Sequence, residues 1–259
     1  MLPPVAMVEA FHLTFLRAFT SSVPAEYFSV KGGCNLRFFF GSDRYSEDLD
    51  LDVGELPVHQ IRDKVMSILE SGGLNATAST YGIARVRPPN ISKAKQTETV
   101  QRFKVHLETT SGEDLPTKIE FSRRGMDQPI RAELVRPEVL EAYRMPSLIL
   151  PHYTADAAAR QKIRALIGRP VPQARDVFDL YVLSAQPELR ELDLRSEFSR
   201  EELGAALTNI YSVEYEQFRD TVVSFLSPEN QERYESKVRW DQIRLVAISL
   251  IEQGLRDGG

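Results

Sequence analysis

The sequence is poor in cysteine and has no long apolar run. Its 259 residues include one cysteine, Cys34, so an internal disulfide is excluded, as is common for proteins of a reducing compartment. No apolar segment approaches the roughly 20 residues that a membrane-spanning helix needs. The N-terminus has no basic region ahead of its apolar residues, which argues against a secretory signal. We therefore expect a cytoplasmic protein without a membrane segment.

An excess of basic residues is also missing. The chain has 32 Lys and Arg residues against 37 Asp and Glu residues, a net charge of −5. Proteins that coat nucleic acid nonspecifically are usually basic, so any nucleic-acid contact must use a local patch. The sequence has no G-x-x-x-x-G-K-[ST] loop and no G-x-S-x-G elbow. Metal-ligand spacing is absent among the four histidines, His12, His59, His106 and His152.

The hydrophobic pattern divides the chain into two halves. In the first half, the pattern predicts an amphipathic helix over residues 8–19, a short helix over 36–39 and a helix from 57 that ends at the Ser71-Gly72-Gly73 segment. It predicts strands over 27–31, 47–53, 78–86, 102–108 and 117–121, and a mobile polar loop over 88–99. From about Val139, helical periodicity dominates. We expect an α/β domain over 1–150 and a helical domain over 151–259.

The most informative segment combines a glycine pair with alternating aspartates. Side chains two residues apart on a strand point the same way, so Asp48 and Asp50 present two carboxylates to one face, where their repulsion favours a divalent cation. Mg²⁺ prefers one or two carboxylates together with substrate phosphates. Glycines such as Gly32 and Gly33 let the backbone approach phosphate oxygens. Glu120, on a later predicted strand, supplies a third carboxylate.

A D-x-D strand alone is often only a solvent-facing polar edge, and Asp52 continues the alternation in that sense. The wider pattern is more specific, because it resembles the AbiEii/AbiGii toxin family of the nucleotidyltransferase superfamily. The first matching residues are Lys31, Gly32, Gly33, Leu36, Arg37, Arg44, Ser46, Asp48 and Asp50. The later ones are Lys118, Ile119, Glu120, Lys162, Ala165, Leu166, Arg169, Arg175, Asp176, Asp179 and Leu180.

This resemblance implies an α+β fold of the DNA polymerase β-like nucleotidyltransferase type. A mixed sheet flanked by helices is then followed by an all-helical C-terminal domain. The implied reaction is Mg²⁺-dependent transfer of a nucleoside monophosphate from an NTP to an acceptor hydroxyl, with release of pyrophosphate. The implied acceptor is tRNA at its 3′ end, and the implied protein partner is a cognate antitoxin.

The resemblance also implies roles for particular residues. The predicted metal ligands are Asp48, Asp50 and Glu120, and the predicted nucleotide-binding residues are Lys31, Gly32, Gly33, Arg44, Ser46 and Lys162. The predicted catalytic residues are Asp48, Asp50, Glu120, Lys162 and Asp176.

Several of these assignments have structural alternatives. Lys31 could merely cap its strand, and Glu120 could be a surface carboxylate paired with a neighbouring lysine. Ser46 could bond a carboxylate or a phosphate oxygen, and Arg44 could pair with a phosphate or with Asp43; the alternative is a turn serine and a solvated arginine. Between residues 160 and 175 there are five basic residues and no acidic one, which suggests phosphate contact. The alternative is that arginines of this segment pair with Asp176 and Asp179, which lie three residues apart on one helical face.

Two other functions are compatible with the same residues. The acceptor could be a small molecule or a protein hydroxyl. The chain could instead be a non-catalytic nucleotide-binding or protein-binding module, although a module would tolerate the loss of Asp48, Asp50 and Glu120, all of which are present.

Overall fold

The computed structural model describes residues 2–92 and 94–255. Within these ranges seven strands form one sheet in the order β3-β4-β5-β2-β1-β7-β6. The strands are β1 Phe28–Lys31, β2 Asp48–Val53, β3 Ile83–Arg87, β4 Val100–Thr109, β5 Asp114–Ser122, β6 Ile130–Leu134 and β7 Ile149–Tyr153.

Eleven α-helices accompany the sheet in the described ranges. Those of the first 153 residues are α1 Pro4–Thr20, α2 Gly32–Phe39, α3 Val58–Leu69, α4 Gly72–Ser79 and α5 Pro137–Glu141. The others are α6 Ala155–Gly168, α7 Ala174–Leu183, α8 Arg200–Ser212, α9 Tyr215–Thr221, α10 Pro228–Tyr234 and α11 Lys237–Gln253. None of the described helices combines the length and the apolar character needed to cross a bilayer.

The sheet is mixed, and two parallel pairings lie at its centre. β2 pairs with β5 in parallel, and β1 pairs with β7 in parallel. The pairs β1–β2, β3–β4, β4–β5 and β6–β7 are antiparallel. This arrangement confirms the predicted α+β class.

One face of the central strands is apolar. Alternate residues of β2, β4 and β5 are fully buried there, among them Leu51, Val105 and Phe121. Helices α1 and α3 share this core: the Phe19 ring lies 5.4 Å from that of Phe121, and Gln101 on β4 donates to the Val58 carbonyl of α3. Because strand side chains alternate between faces, the intervening polar residues point to the opposite face.

Helix α1 is present as predicted, but its amphipathic character is not. Twelve of its residues are buried, including Glu9 and His12. Glu9 accepts from the Arg37 guanidinium at 2.8 Å and from the Tyr143 hydroxyl at 2.7 Å. Buried polar groups are tolerated when they are paired, so partners distant in sequence allow a helix with charged residues to be covered on nearly all sides.

Two local predictions were wrong. The Ser71-Gly72-Gly73 segment ends α3 as predicted, but the Ser71 hydroxyl accepts from the Leu74 amide and caps a second helix, α4, at once. This helix occupies the first two residues of the predicted strand 78–86, and the strand itself, β3, starts at Ile83. The predicted helical texture from Val139 is interrupted by β7, whose five residues are too few to show a period.

The chain divides into two compact units. The first comprises the chain through Phe39 together with Tyr45–Tyr153, and the second comprises Phe40–Arg44 together with the chain from Thr154 onward. A single boundary near residue 150 does not capture the short early segment that belongs to the second unit. That segment joins α2 to β2, so the chain enters the second unit before the D-x-D strand begins.

The second unit is built from helices and has its own aromatic core. The Phe218 ring stacks on Trp240 with centroids 4.5 Å apart, and Phe178 lies against both Phe218 and Tyr234. The predicted capping box opens α8, where Ser199 and Glu202 each bond the other's backbone amide. The helical character predicted for the C-terminal half is thus confirmed from Ala155 onward.

Candidate active site

Three carboxylates meet on the polar face of the sheet. Asp48 and Asp50 lie on the same side of β2, as the strand alternation predicts. The parallel pairing of β2 with β5 places Glu120 directly beside Asp50, and neighbouring strands lie about 4.8 Å apart. The structure therefore places the three predicted metal ligands on one face of the sheet, with Asp50 and Glu120 adjacent.

Two of the three carboxylates are held by cations of the same face. Lys118 on β5 contacts Asp48 at 2.7 Å, and Arg102 on β4 contacts Glu120 at 2.7 Å. Both pairs are partly open to solvent. Arg102 was not among the predicted site residues; its only signal was its place opposite Glu120 in a β4–β5 hairpin.

Asp50 is the exception. It forms no ion pair and accepts no hydrogen bond from the described part of the chain. Burial raises the pKa of Asp50, and the nearby charges of Asp48 and Glu120 add to this effect, while Lys31 and Lys118 oppose it. A crowded carboxylate without a direct partner is electrostatically costly, and an added cation would relieve that cost.

The donor set suits a hard divalent cation. Carboxylate oxygens are the protein ligands that Mg²⁺ prefers, and Asp50 has both oxygens available. Among residues 2–92 and 94–255, however, no three His, Cys, Asp or Glu side chains are already arranged as metal ligands, since Asp48 and Glu120 contact Lys118 and Arg102. A cation would have to exchange for these side chains.

Gly32 is required by its contact with Asp50. Its φ is +65°, a conformation that side chains with a Cβ rarely adopt. A Cβ at this position would lie 2.8 Å from the Asp50 Oδ2 atom. Gly32 and Gly33 are the first residues of α2, so their backbone amides precede the first hydrogen bonds within the helix, and Gly32 lies against Asp50.

Lys31 is occupied by another aspartate. Its Nζ atom lies 2.5 Å from Asp52 Oδ1, and the Tyr153 hydroxyl donates to Asp52 Oδ2 at 2.6 Å. Asp52 therefore continues the alternation as a buried structural residue rather than a solvent-facing one. Phosphate binding by Lys31 stays a prediction, and strand capping does not describe the contact that the structure shows.

Side-chain hydrogen bonds to backbone carbonyls fix the start of β2. The Ser46 hydroxyl donates to the Asp48 carbonyl at 2.8 Å, so it bonds the backbone rather than a carboxylate. The Cys34 thiol also faces this carbonyl, at 3.4 Å. The Thr117 hydroxyl donates to the Glu47 carbonyl and contacts His12, whose pKa burial lowers to about 3. These contacts hold the backbone that carries Asp48.

The remaining predicted site residues lie in the second unit. Lys162 on α6 contacts Asp179 at 2.6 Å and Asp176 at 3.1 Å, and both aspartates are fully buried. Arg44, which is also buried, contacts Asp179 at 3.4 Å. Arg44 thus pairs with Asp179 rather than with Asp43, whose carboxylate accepts from the Tyr234 hydroxyl.

This cluster is charged, and its charges are balanced. Burial opposes the charge of Lys162, but the attraction of Asp179 and Asp176 outweighs it, and the pKa of Lys162 is raised. Burial likewise opposes ionisation of Asp179, while Lys162 and Arg44 favour it, and the pKa of Asp179 is lowered. Lys162 and Asp176 therefore have structural partners, and their assignment to phosphate binding and catalysis stays a prediction.

The basic segment 160–175 is largely neutralised within the same unit. Arg160 and Arg164 both contact Glu197, and Arg169 contacts Asp176 at 3.1 Å. Together with Lys162, four of the five basic residues have acidic partners. Ion pairs within the unit therefore account for their clustering, but of the arginines only Arg169 pairs with Asp176 as the alternative proposed, whereas Arg160 and Arg164 pair with Glu197.

Comparison with known families decides the assignment. The model of the family described as nucleotidyl transferase AbiEii toxin, type IV toxin–antitoxin system, matches residues 14–244. The chain belongs to this family. The match covers most of both units and confirms the resemblance carried by the glycine pair, the D-x-D strand and the Lys162–Asp179 segment.

Solved structures share the fold. MenT4, a nucleotidyltransferase toxin from Mycobacterium tuberculosis H37Rv, is 18% identical with a TM-score of 0.59, covering 95% of this chain and 82% of MenT4. JHP933 from Helicobacter pylori is 18% identical with a TM-score of 0.50, covering 93% of this chain and 89% of JHP933. No curated protein sequence significantly matches this chain.

The substitution Gly32→Ala tests the fit between α2 and Asp50. We expect it to lower the free energy of unfolding by roughly 1–3 kcal/mol, because it combines a strained φ with a clash against a carboxylate. Urea denaturation measures the change. Gly73→Ala is the matched control, since its Cβ would meet no atom within 4 Å; a loss as large in the control would contradict the role of the contact.

The substitution Asp50→Asn tests the electrostatic cost of the unpaired carboxylate. In buffer with a chelator at pH 7, we expect a higher thermal midpoint than that of the wild type, because the variant removes a charge that burial and two neighbouring carboxylates disfavour. Differential scanning calorimetry measures the midpoint. Asp63→Asn, on the exposed surface of α3, should give no gain. A lower midpoint for Asp50→Asn would show that Asp50 is stabilised by contacts other than those described.

The substitution Lys162→Met tests the buried cluster. We expect a loss of about 3 kcal/mol, the lower end for a broken buried pair, because Arg44 and Arg169 remain beside the aspartates. Since Asp179 has a lowered pKa, its pairing stabilises the fold above its unfolded pKa of about 3.9 and is lost as the pH falls through the native pKa. Urea denaturation from pH 7 to pH 3 should show a smaller pH dependence for the variant.

The matched control is Arg164→Met, whose side chain is 45% exposed. It should cost about 1 kcal/mol or less. Equal losses for the two variants would mean that the buried cluster contributes no more than a surface ion pair.

Proposed function

We propose that this protein is a Mg²⁺-dependent transferase that moves a nucleoside monophosphate from an NTP to an acceptor hydroxyl and releases pyrophosphate. The observation that carries the proposal is the alignment of Asp48, Asp50 and Glu120 on one face of two parallel strands, with Gly32 against Asp50. The family supplies the nucleotidyltransferase class, and the carboxylate geometry supplies the reason for a divalent metal.

A triphosphate could not approach this face without added positive charge. Three carboxylates would repel an anion, and Lys118 and Arg102 only balance two of them. We assign Asp48, Asp50 and Glu120 as the side chains that would hold Mg²⁺. With Mg²⁺ held there, negative charge on the phosphate oxygens would be neutralised and the α-phosphorus would become more open to attack. Lys118, once displaced from Asp48, can turn to a phosphate oxygen.

The glycine pair suits the phosphate end of the nucleotide. The amides of Gly32 and Gly33 begin α2, and helix N-termini favour phosphate groups. The absence of a Cβ at Gly32 leaves Asp50 and a phosphate oxygen room to lie side by side. Ser46 contributes to the site by fixing the Asp48 carbonyl. Lys31 contributes by holding Asp52, the next residue of β2 on the same face.

The acceptor hydroxyl is positioned rather than activated strongly. Asp50 or Glu120 can accept its proton when the hydroxyl attacks the α-phosphorus. Catalysis then depends mainly on alignment and charge neutralisation. From the motif that contains them, we also assign Lys162 to the triphosphate and Asp176 to the catalytic set; substrate would have to compete with the ion pairs that these residues form.

The biological setting follows from the family. A toxin of a type IV toxin–antitoxin system has a cognate antitoxin and acts inside the cell that makes it. We propose tRNA as the acceptor, modified at its 3′ end in the cytoplasm, which would block translation. The single cysteine, which needs no oxidising compartment, is consistent with this setting.

The reaction is tested by incubating the protein with Mg²⁺, each radiolabelled NTP in turn and total RNA. We expect label to appear on tRNA and not on protein. Asp48→Asn and Glu120→Gln should each lower transfer at least about 100-fold, since even residues that only orient metal ligands cost 10–100-fold. A chelator should have the same effect as these substitutions.

Asp63→Asn serves as the control, because it removes an aspartate from the surface of α3. Full activity of both site variants would refute the assignment. Binding of NTP without label on RNA or protein would identify a nucleotide-binding module instead, and label on protein would replace the acceptor.

A further inference from the structure

We propose that a basic groove along β4 binds the phosphate backbone of the acceptor strand. The proposal rests on the proposed transfer reaction and names the surface that would hold its second substrate. The groove has a volume of about 470 Å³ and lies between β4 and the segment that precedes it. Its charged lining consists of Lys95, Arg102, Lys104 and His106.

The groove begins at the carboxylates. Arg102 lines it and also contacts Glu120 at 2.7 Å. From Arg102 the basic residues follow the polar face of β4 through Lys104 to His106, a rise of about 14 Å at 3.4 Å per residue. A nucleic-acid strand that lies in the groove would therefore have one end beside the proposed metal ligands.

Two lysines of the groove lack acidic partners. Neither Lys95 nor Lys104 forms an ion pair with the described residues. Lys104 also lies directly opposite Lys118 across the β4–β5 ladder, and like charges in that position are destabilising. Lys118 is balanced by Asp48, but Lys104 is not. An anion beside Lys104 would remove this repulsion.

The wall that carries Lys95 is fixed to the sheet. The Arg102 amide donates to the Lys95 carbonyl at 2.8 Å, and Gln96 exchanges backbone and side-chain bonds with the start of β4. The second half of the polar segment 88–99, predicted to be a mobile loop, is therefore tied to β4. Lys95 and Lys104 are held on the two sides of one groove.

At the far end of the groove, acidic residues pair with the basic ones. His106 contacts Asp114 at 2.9 Å, and Arg87 contacts both Glu108 and Asp114. The unbalanced positive charge is thus confined to the part between Lys95 and Lys104. That part adjoins Arg102 and the carboxylates rather than the outer edge of the sheet.

The shape and lining favour a polynucleotide backbone over the NTP. Gly32 follows β1, and three strand spacings, about 14 Å, separate β1 from β4. One compact triphosphate cannot lie at both places. Among the described lining residues the only aromatic ring is His106, which contacts Asp114, so the groove offers no row of rings for stacked bases. In a chain of net charge −5, such a local patch is what contact with RNA phosphates requires.

Binding is measured by fluorescence anisotropy with labelled total tRNA and a labelled single-stranded RNA 12-mer, over a series of salt concentrations. We expect Lys104→Glu to weaken RNA binding about tenfold and to reduce the slope of log K against log salt by about 1. Binding of Mg·NTP should be unchanged. Lys95→Glu should act in the same direction.

Arg62→Glu is the matched control, because it changes the net charge equally on α3, which covers the opposite face of the sheet; its RNA affinity should change less than about twofold. Circular dichroism and thermal midpoints establish that the variants are folded. A loss of NTP binding in Lys104→Glu with RNA binding intact would overturn the proposal and assign the groove to the nucleotide. Equal effects of Lys104→Glu and Arg62→Glu, or no RNA binding by the wild type, would also overturn it.

Failure of the transfer reaction is distinguishable from failure of this proposal. If the wild type transfers no nucleotide but its RNA affinity depends on Lys104, the groove stands and the enzymatic function falls. If Lys104→Glu transfers nucleotide to RNA with an unchanged KM for the acceptor, the groove falls and the enzymatic function stands.

Discussion

The parallel pairing of β2 with β5 sets Asp50 beside Glu120, and the repulsion between these carboxylates governs the face on which they lie. Lys118 and Arg102 relieve part of it from neighbouring positions. Asp50 stays crowded, because Gly32 packs against its carboxylate and has no side chain that could donate a hydrogen bond to it. On this face the carboxylates repel one another, while hydrogen bonds hold the backbone that carries them. Such a face suits a site that is completed by a cation and a phosphate ester.

The backbone beneath that face is stabilised by contacts that carry no net charge. Ser46, Cys34 and Thr117 all face carbonyls at the start of β2, and the ring of His12 behind them is neutral because burial lowers its pKa to about 3. These contacts therefore do not respond to ordinary changes in pH. The electrostatic stress is confined to the surface layer of carboxylates, lysine and arginine.

Sequence alone could predict the parts of the fold that depend on local periodicity. The alternation of Leu49, Leu51 and Val53 defines β2, and the Ser199–Glu202 pair defines the start of α8. Sequence could not predict which partners would bury Glu9, because Arg37 and Tyr143 lie 28 and 134 residues away. It also missed β7, whose five residues are too short to show a period.

The candidate site was predictable to a similar degree. The D-x-D spacing places Asp48 and Asp50 on one face, and the family pattern indicates Glu120. The contacts of Lys162 and Arg44 were not predictable, because a basic cluster in sequence does not reveal whether its charges meet carboxylates or solvent. Here the structure shows four of the five basic residues of segment 160–175 in ion pairs, whereas the unbalanced lysines are Lys104 on β4 and Lys95 in the segment before it.

The segment Phe40–Arg44 makes the division of the chain into units discontinuous along the sequence. It follows the glycine helix and precedes the aspartate strand, yet it belongs to the helical unit, where Arg44 meets Asp179. A fragment cut after Tyr153 would retain this arginine without its carboxylate, and the complementary fragment would retain the carboxylate without the arginine. Exchange of the C-terminal half between relatives would therefore preserve this ion pair only if the pentapeptide Phe40–Arg44 were exchanged with it.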